Sequence, residues 1–279
     1  MVLLDILTNS QLPTTSYQLV VAHFNHGIRA DAEKDEKLVR QAAESYGLAF
    51  EAGYGELGPG ASEEKARKAR YDFLNKTKRK YHAAAIITAH HQDDLVETAI
   101  INLLRGTGRR GLTAISDNPD IIRPLLSVPK SKLVDYAKKN DLKWRDDPSN
   151  QDERFLRNFV RRRMIPKLSA AQRRSFLKEL SKLAAGNRLI HQEIANLSQN
   201  IVHNRSVNRS AFTALPNEIA AEVLIYFLRQ NAIRDFDKKA IERLTVVIKT
   251  AKPGSKHDVI RGVTLKLTSD TAHLQGRAL

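Results

Sequence analysis

The apolar residues of this chain change period several times along its length. "YQLVVAHF" (17–24) is a continuous run of strand length that ends in the polar "NHGIR". From Asp31 to Tyr46 the spacing is helical, with Leu38, Val39, Ala42 and Ala43 on one face, Asp31 placed to cap the start and Gly47 to close the end. The glycine-rich "AGYGELGPGAS" leads to a second helix, which Ser62 can cap and in which Glu63 and Glu64 suit the positive end of the helix dipole. "HAAAIITAHH" reads as a strand without alternation, as a parallel sheet covered on both faces requires. A helix from Asp94 to Leu104 follows, closed by Gly106. Strand, helix, strand, helix predicts an α/β domain built on a parallel sheet.

From Ser131 the pattern becomes helical and basic, and after Pro166 the sheet signal disappears for a long stretch. The predicted division is therefore an α/β domain over 1–166 and a mainly helical domain with a few strands over 167–279. Residues 170–200 and 215–250 read as helices, and "HDVIRGVTLKLTSDTAHL" alternates like a hairpin or small sheet. There is no internal repeat and no low-complexity tract. The second domain shows no recognisable chemistry.

Composition narrows the function. Lys and Arg number 46 against 31 Asp and Glu, a formal net charge of +15, which favours an anionic partner such as nucleic acid. The absence of cysteine excludes a disulfide scaffold, a thiolate zinc site and a cysteine nucleophile. "MVLLDILTNSQLP" has no basic residue before its apolar run and no small-residue cleavage site, so it does not read as a signal peptide. No apolar run approaches the ~20 residues of a membrane helix, and a cytoplasmic location is expected.

Ligands of open α/β sheets sit at the carboxyl ends of the strands. Two polar clusters fall there: His23, Asn25, His26 and Arg29 in "HFNHGIR", and His90, His91, Asp93, Asp94 and Glu97 in "HHQDDLVET". On a helix the three carboxylates share roughly one face, an arrangement that calls for a cation. Adjacent strand residues point to opposite faces, which argues against zinc on His90 and His91, whereas magnesium held by oxygens beside a nucleotide suits the carboxylates. Arg67 and Arg70 are spaced to form either an anion clamp or a solvated helix face. "RGTGRRGL" (105–112) offers backbone amides at Gly106 and Gly108 together with three arginines. In "DERFLRNFVRRRMIP", a helix begun at Glu153 puts Arg154, Arg157 and Arg161 on one stripe and Phe155, Leu156, Phe159 and Val160 on the other, a basic ridge suited to a nucleic-acid backbone. Arg163 falls among the apolar residues, and a buried pair with Asp146 or Asp147 would account for it.

In order, "VAHFNHGIR", "EEKARKARYDFL", "TAHHQDDLVETAIINLLRGTGRRGL", "IRPLL" and "WRDDPSN…RNFVRRRMIP" resemble the tRNA(Ile)-lysidine synthetases, members of the PP-loop or N-type ATP pyrophosphatase group. The resemblance covers roughly 1–168; beyond it the likeness lies only in helical character and the closing strands. It implies a domain that uses ATP and Mg²⁺ to activate O2 of the wobble cytidine of tRNA(Ile) with a CAU anticodon. Free lysine then attacks, giving lysidine, AMP and pyrophosphate and changing the codon read from AUG to AUA. It further implies catalysis by Asp94, Glu97, His90 and Arg67, with Asp94 as the magnesium ligand. ATP binding would fall to His23, Asn25, His26, Arg29, Arg70, Gly106 and Gly108, and tRNA binding to Arg154, Arg157, Arg161 and Arg162, with room for a homodimer.

The family's opening strand and SGGxDS loop are not in the sequence, whose first residues resemble the helix after that loop. The expectation is a native start ~20 or more residues upstream. A catalytically inactive tRNA-binding fragment and another PP-loop tRNA-modifying enzyme are the alternatives.

Overall fold

The computed structural model describes residues 1–9, 17–28, 31–58, 60–116, 120–145, 152–233 and 236–276. The chain forms two compact units, Met1–Ala184 and Ala185–Leu279.

The first unit opens with helix α1 (Val2–Asn9), followed by strand β1 (Val20–Asn25), helix α2 (Ala32–Ser45) and strand β2 (Ala49–Tyr54). β1 and β2 pair in parallel, Val20 opposite Ala49 through Asn25 opposite Tyr54. Helix α3 (Glu63–Lys80) begins as expected, the Ser62 hydroxyl accepting the Lys65 N–H at 3.2 Å. Strand β3 is only Ile86–Ile87, followed by helix α4 (Gln92–Leu104), the single turn α5 (Arg109–Leu112) and strand β4 (Ile121–Ile122), which pairs in parallel with β3. The expected parallel pairing is present, in ladders shorter than the apolar runs. Asp31 precedes α2 but its side chain accepts no capping N–H; its carboxylate accepts from Arg145 at 2.6 Å.

Helices α6 (Lys130–Lys139) and α7 (Leu156–Phe159) complete the site-bearing part, and α7 runs into a π-helical turn at Val160–Met164 and a 3₁₀ turn at Ile165–Lys167. Helix α8 (Ala170–Ser198) then crosses the division between the units. The division falls later than the expected boundary near Pro166, because Phe176 and Leu177 pack with Met164, Ile165 and Leu168 on the cluster of Val96, Ile100, Ile101 and Val160.

In the second unit, strands β5 (Val202–His203) and β6 (Ser206–Asn208) and helices α9 (Arg209–Thr213), α10 (Asn217–Gln230) and α11 (Lys238–Thr250) precede β7 (Lys256–Ile260), β8 (Val263–Leu267) and β9 (Thr271–Gly276). The strands form one antiparallel sheet in the order β5-β6-β9-β8-β7. Phe212, Phe227, Leu224, Leu244 and Ile248 from the helices and Leu265, Leu267 and Leu274 from the sheet make its core. Arg209 is structural, its guanidinium donating to the carbonyls of Ile248, Thr268 and Ala251. No helix of the described residues is long and apolar enough to cross a membrane.

One buried carboxylate ties the first unit together. Asp5 accepts from the hydroxyls of Tyr46, just after α2, and Tyr136 in α6, and from Asn9 in its own helix. The bond to Asp5, and then burial, push the Tyr46 phenol up to about 12 from 10.0. A raised folded-state value stabilises fully below the unfolded value, so this contribution is lost as pH rises from about 10 to about 12. Denaturant midpoints measured over that window should fall in the wild type and flatten in Tyr46→Phe. Asp5→Ala, which orphans two hydroxyls, should cost about 2 kcal/mol at neutral pH.

Candidate active site

The site grows from the start of α4. His91 is the N-cap, and its backbone N–H donates to Asp94 Oδ2 at 2.9 Å, so Asp94 fixes the helix start as well as carrying charge. Asp94 Oδ1 lies 3.9 Å from Arg161 Nη2. The carboxylates expected on one face have separate tasks. Asp93 accepts from Arg173 at 2.6 Å and from the Lys130 backbone N–H, and so joins α4 to α6 and α8. Glu97 is 1% exposed and held by Arg161 in a two-pronged pair, Nε to Oε1 at 2.6 Å and Nη2 to Oε2 at 2.9 Å. Arg157 donates to Thr98 Oγ1 at 3.2 Å and lies 3.4 Å from Glu63.

The arginine ridge is thereby corrected. Arg157 and Arg161, expected on a solvated face for tRNA, point into α4, while Phe155, Leu156 and Phe159, expected to be buried, are exposed. Helix α7 starts at Leu156 rather than Glu153 and widens into a π turn, which shifts the face it buries. A buried carboxylate left without a cation costs more than an exposed phenyl ring, which decides which stripe turns inward. Arg154 and Arg162 remain outside, paired with Asp152 and Glu153. Arg163 is exposed on Glu153 at 2.9 Å rather than buried; Asp146 and Asp147 lie outside the described residues.

His90 sits on the opposite side of the N-cap. Its Nδ1 is 2.8 Å from Thr88 Oγ1, and its pKa falls to about 4, first by burial and then by the charges of Arg123, Arg70 and Arg67, against the pull of Asp94. Burial also lowers Arg70, which is repelled by Arg67 and Arg157 and favoured by Tyr71 and Glu63. Arg67 and Arg70 lie over the Tyr71 ring at 4.8 Å and 5.6 Å, and among the described residues no ion pair reaches either guanidinium. Arg123 Nε and the Tyr71 hydroxyl are buried without a hydrogen-bond partner among the described residues. Arg70 and Arg123, partly buried beside a neutral imidazole with the exposed Arg67 near them, are like charges that are unfavourable alone and are relieved by a polyanion.

Other expected ligands of ATP fall elsewhere. His23, lowered mainly by burial, feels the charges of Glu36 and Asp35 and faces α2. Asn25 is buried and accepts the Gly27 N–H at 2.9 Å, shaping a turn in which Gly27 has φ 66° and a Cβ would lie 2.4 Å from the Gly55 carbonyl oxygen. His26 packs edge-on against Phe24. Arg29 lies outside the described residues. Gly106 closes the far end of α4 and Gly108 starts α5, roughly 18 Å along the axis from Asp94, too far to share its ligand contacts. Arg123 and Tyr71 were missed, yet each had a signal: Arg123 follows a strand end, as His90 does, and Tyr71 adjoins the arginine pair.

The PP-loop domain family matches residues 1–168, more than half of the chain. The chain belongs to the PP-loop family. Its PP-loop region is similar to the tRNA(Ile)-lysidine synthase of Pseudomonas syringae pv. tomato, 37% identical over 175 residues that cover 61% of this chain and 39% of that protein. The enzyme of that name from Thermotoga maritima is 34% identical over 55% of this chain and 39% of its own length. The bifunctional TilS/HprT protein of Listeria monocytogenes is 26% identical over 98% of this chain and 45% of its own. The chain thus spans about two fifths of the length of the curated relatives it matches. A U34-tRNA thiolase, NcsA from Methanococcus maripaludis, shares the PP-loop fold with TM-score 0.51 and 14% identity over 65% of this chain and 67% of that one.

The imidazole of His90 should titrate near pH 4 by NMR, and Arg123→Ala should move its midpoint upward. Because the folded value lies below the ordinary 6.5, the stability this group contributes is present above pH 6.5 and is lost as pH falls toward about 4. Glu97→Ala, which strands Arg161, should lower unfolding free energy by about 3 kcal/mol in denaturant titrations.

Proposed function

We propose that this chain performs ATP-dependent ligation of free lysine to C2 of the wobble cytidine of tRNA(Ile) with a CAU anticodon, in the cytoplasm. The observation that carries the reading is the group formed by the partly buried Arg70 and Arg123 and the exposed Arg67 around a neutral His90, beside Asp94. It has the charge and the unused donors to take a triphosphate, and the relatives that share this region are named for lysidine formation.

In this reading the three arginines hold the phosphates and offset the negative charge that spreads as O2 of the cytidine attacks the α-phosphate and pyrophosphate leaves. Lysine Nζ then attacks C2, and AMP departs with the electron pair of the broken C–O bond. A lysine ammonium with pKa ~10.4 is less than about one part in a thousand free amine at neutral pH. In this reading the Asp94 carboxylate orients it and takes its proton. His90, uncharged near neutral pH, contributes a hydrogen bond rather than a cation. Glu97, buried under Arg161, positions that arginine instead of touching substrate.

Among the described residues no three His, Asp or Glu side chains cluster to hold a metal. Among the described residues Asp94 is the carboxylate that would hold magnesium, as the alternative to its role as base, with phosphate oxygens and water completing the shell. Such an ion would supply Lewis-acid stabilisation of phosphate charge.

The test is release of AMP and pyrophosphate with ATP, lysine and tRNA(Ile). Asp94→Asn keeps an acceptor for the His91 N–H and should reduce lysidine formation at least about 100-fold with an unchanged melting temperature. Arg70→Ala should raise KM for ATP about tenfold or more. Salt-sensitive tRNA binding without turnover would instead favour the inactive tRNA-binding reading.

A further inference from the structure

The segment 155–163 turns two aromatic rings toward solvent where an amphipathic helix would hide them. Phe155 and Phe159 are 39% and 42% exposed, and the Phe159 N–H donates to the Phe155 carbonyl at 3.0 Å, which sets the two residues one turn apart. The same turns bury Val160 and direct Arg157 and Arg161 onto α4, so the exposure follows from the inward arginines and leaves the rings as the outer face.

Arginines border the rings. Arg154 precedes Phe155, with 88% of its side chain exposed, and Arg163 follows one turn after Phe159, at 63%. Arg162 and Arg163 share a single carboxylate, their Nε atoms 3.6 Å and 2.9 Å from the two oxygens of Glu153, and Arg154 pairs with Asp152. Three guanidiniums thus border the rings, with Asp152 and Glu153 as carboxylate partners among the described residues. A protein-docking face would have an apolar centre depleted of charge. Exposed rings alternating with planar cations have the opposite character and match single-stranded nucleic acid, whose bases stack on rings and whose phosphates meet the guanidiniums.

We propose that Phe155 and Phe159, flanked by Arg154, Arg162 and Arg163, form a stacking platform for unpaired bases of RNA. The inference rests on the tRNA reading above and gives it a surface: the inner arginines of this segment build the reaction site, and the outer rings hold the splayed loop beside it.

Binding is measured by fluorescence anisotropy on the full chain with two probes, an RNA hairpin carrying CAU in its loop and a fully paired RNA duplex. Phe155→Leu and Phe159→Leu retain apolar bulk and should leave the melting temperature unchanged. Each should weaken hairpin binding about tenfold, spare the duplex, and leave the salt dependence of hairpin binding as it was, since no charge is lost. Phe159→Trp should restore wild-type affinity. Arg154→Gln and Arg163→Gln should instead reduce the slope of log affinity against log salt by about 0.7 for each contact removed. A wild-type chain that binds neither probe overturns the tRNA reading and the platform with it. A wild type that binds the hairpin while both leucine variants bind it equally well overturns the platform alone. Self-association lost in the leucine variants with hairpin binding intact assigns the rings to a protein interface and also overturns it.

Discussion

A carboxylate as deeply buried as Glu97 needs a cation and hydrogen bonds to offset its lost hydration, and Arg161 supplies both. Much of the first unit's arrangement follows from this demand. The pair draws 156–164 against α4, seats Val160 beside Val96, Ile100 and Ile101, and sets the inner face of the segment. It also brings Arg161 within 3.9 Å of Asp94, so one guanidinium both satisfies a buried charge and shapes the field at the start of α4. A hydrophobic replacement of similar volume could give equal stability, but it would carry no positive potential to the helix start.

Around that pair, the arginines are partnered differently. Arg161 meets a carboxylate through two hydrogen bonds, whereas among the described residues Arg67 and Arg70 have an aromatic face beneath them and no ion pair. The second state is tolerable in a fold stabilised elsewhere, and it pre-forms a receptor whose electrostatic cost is lifted when an anion arrives. The same site keeps His90 uncharged, chiefly by burial, with the charges of Arg123, Arg70 and Arg67 adding to that effect against Asp94.

How much of this was legible varies by element. Caps and glycine stops read well because they depend on one or two residues: Ser62 caps α3 as expected, and Gly47 and Gly106 adopt positive φ just past α2 and α4. The parallel pairing was legible from unbroken apolar runs, but their lengths overstated β3, which keeps only Ile86–Ile87 because the residues after it turn toward the site. β5 and β6 carry too few residues to show any period. The largest misreading, the arginine ridge, arose because helical periodicity assumes that apolar residues go inward. Nothing local to 154–163 indicates that a glutamate at position 97 will reverse that rule. Motif order singled out His90 and Asp94, which lie together at the start of α4, while tertiary placement sets Gly106 and Gly108 past the far end of that helix and brings the Arg123 charge to His90.

Asp5 carries a consequence for the order in which the molecule assembles. Its two tyrosine donors stand 41 and 131 positions further along the chain, so the carboxylate's hydrogen-bonding shell is closed by contacts of very different range. The nearer closure can form early and at modest entropic cost, but the farther one waits for the whole α/β region to be synthesised and drawn in. Until then a carboxylate destined for burial remains hydrated, and α1 cannot settle. The first helix of the chain is thus among the last elements of its unit to reach its final hydrogen bonds.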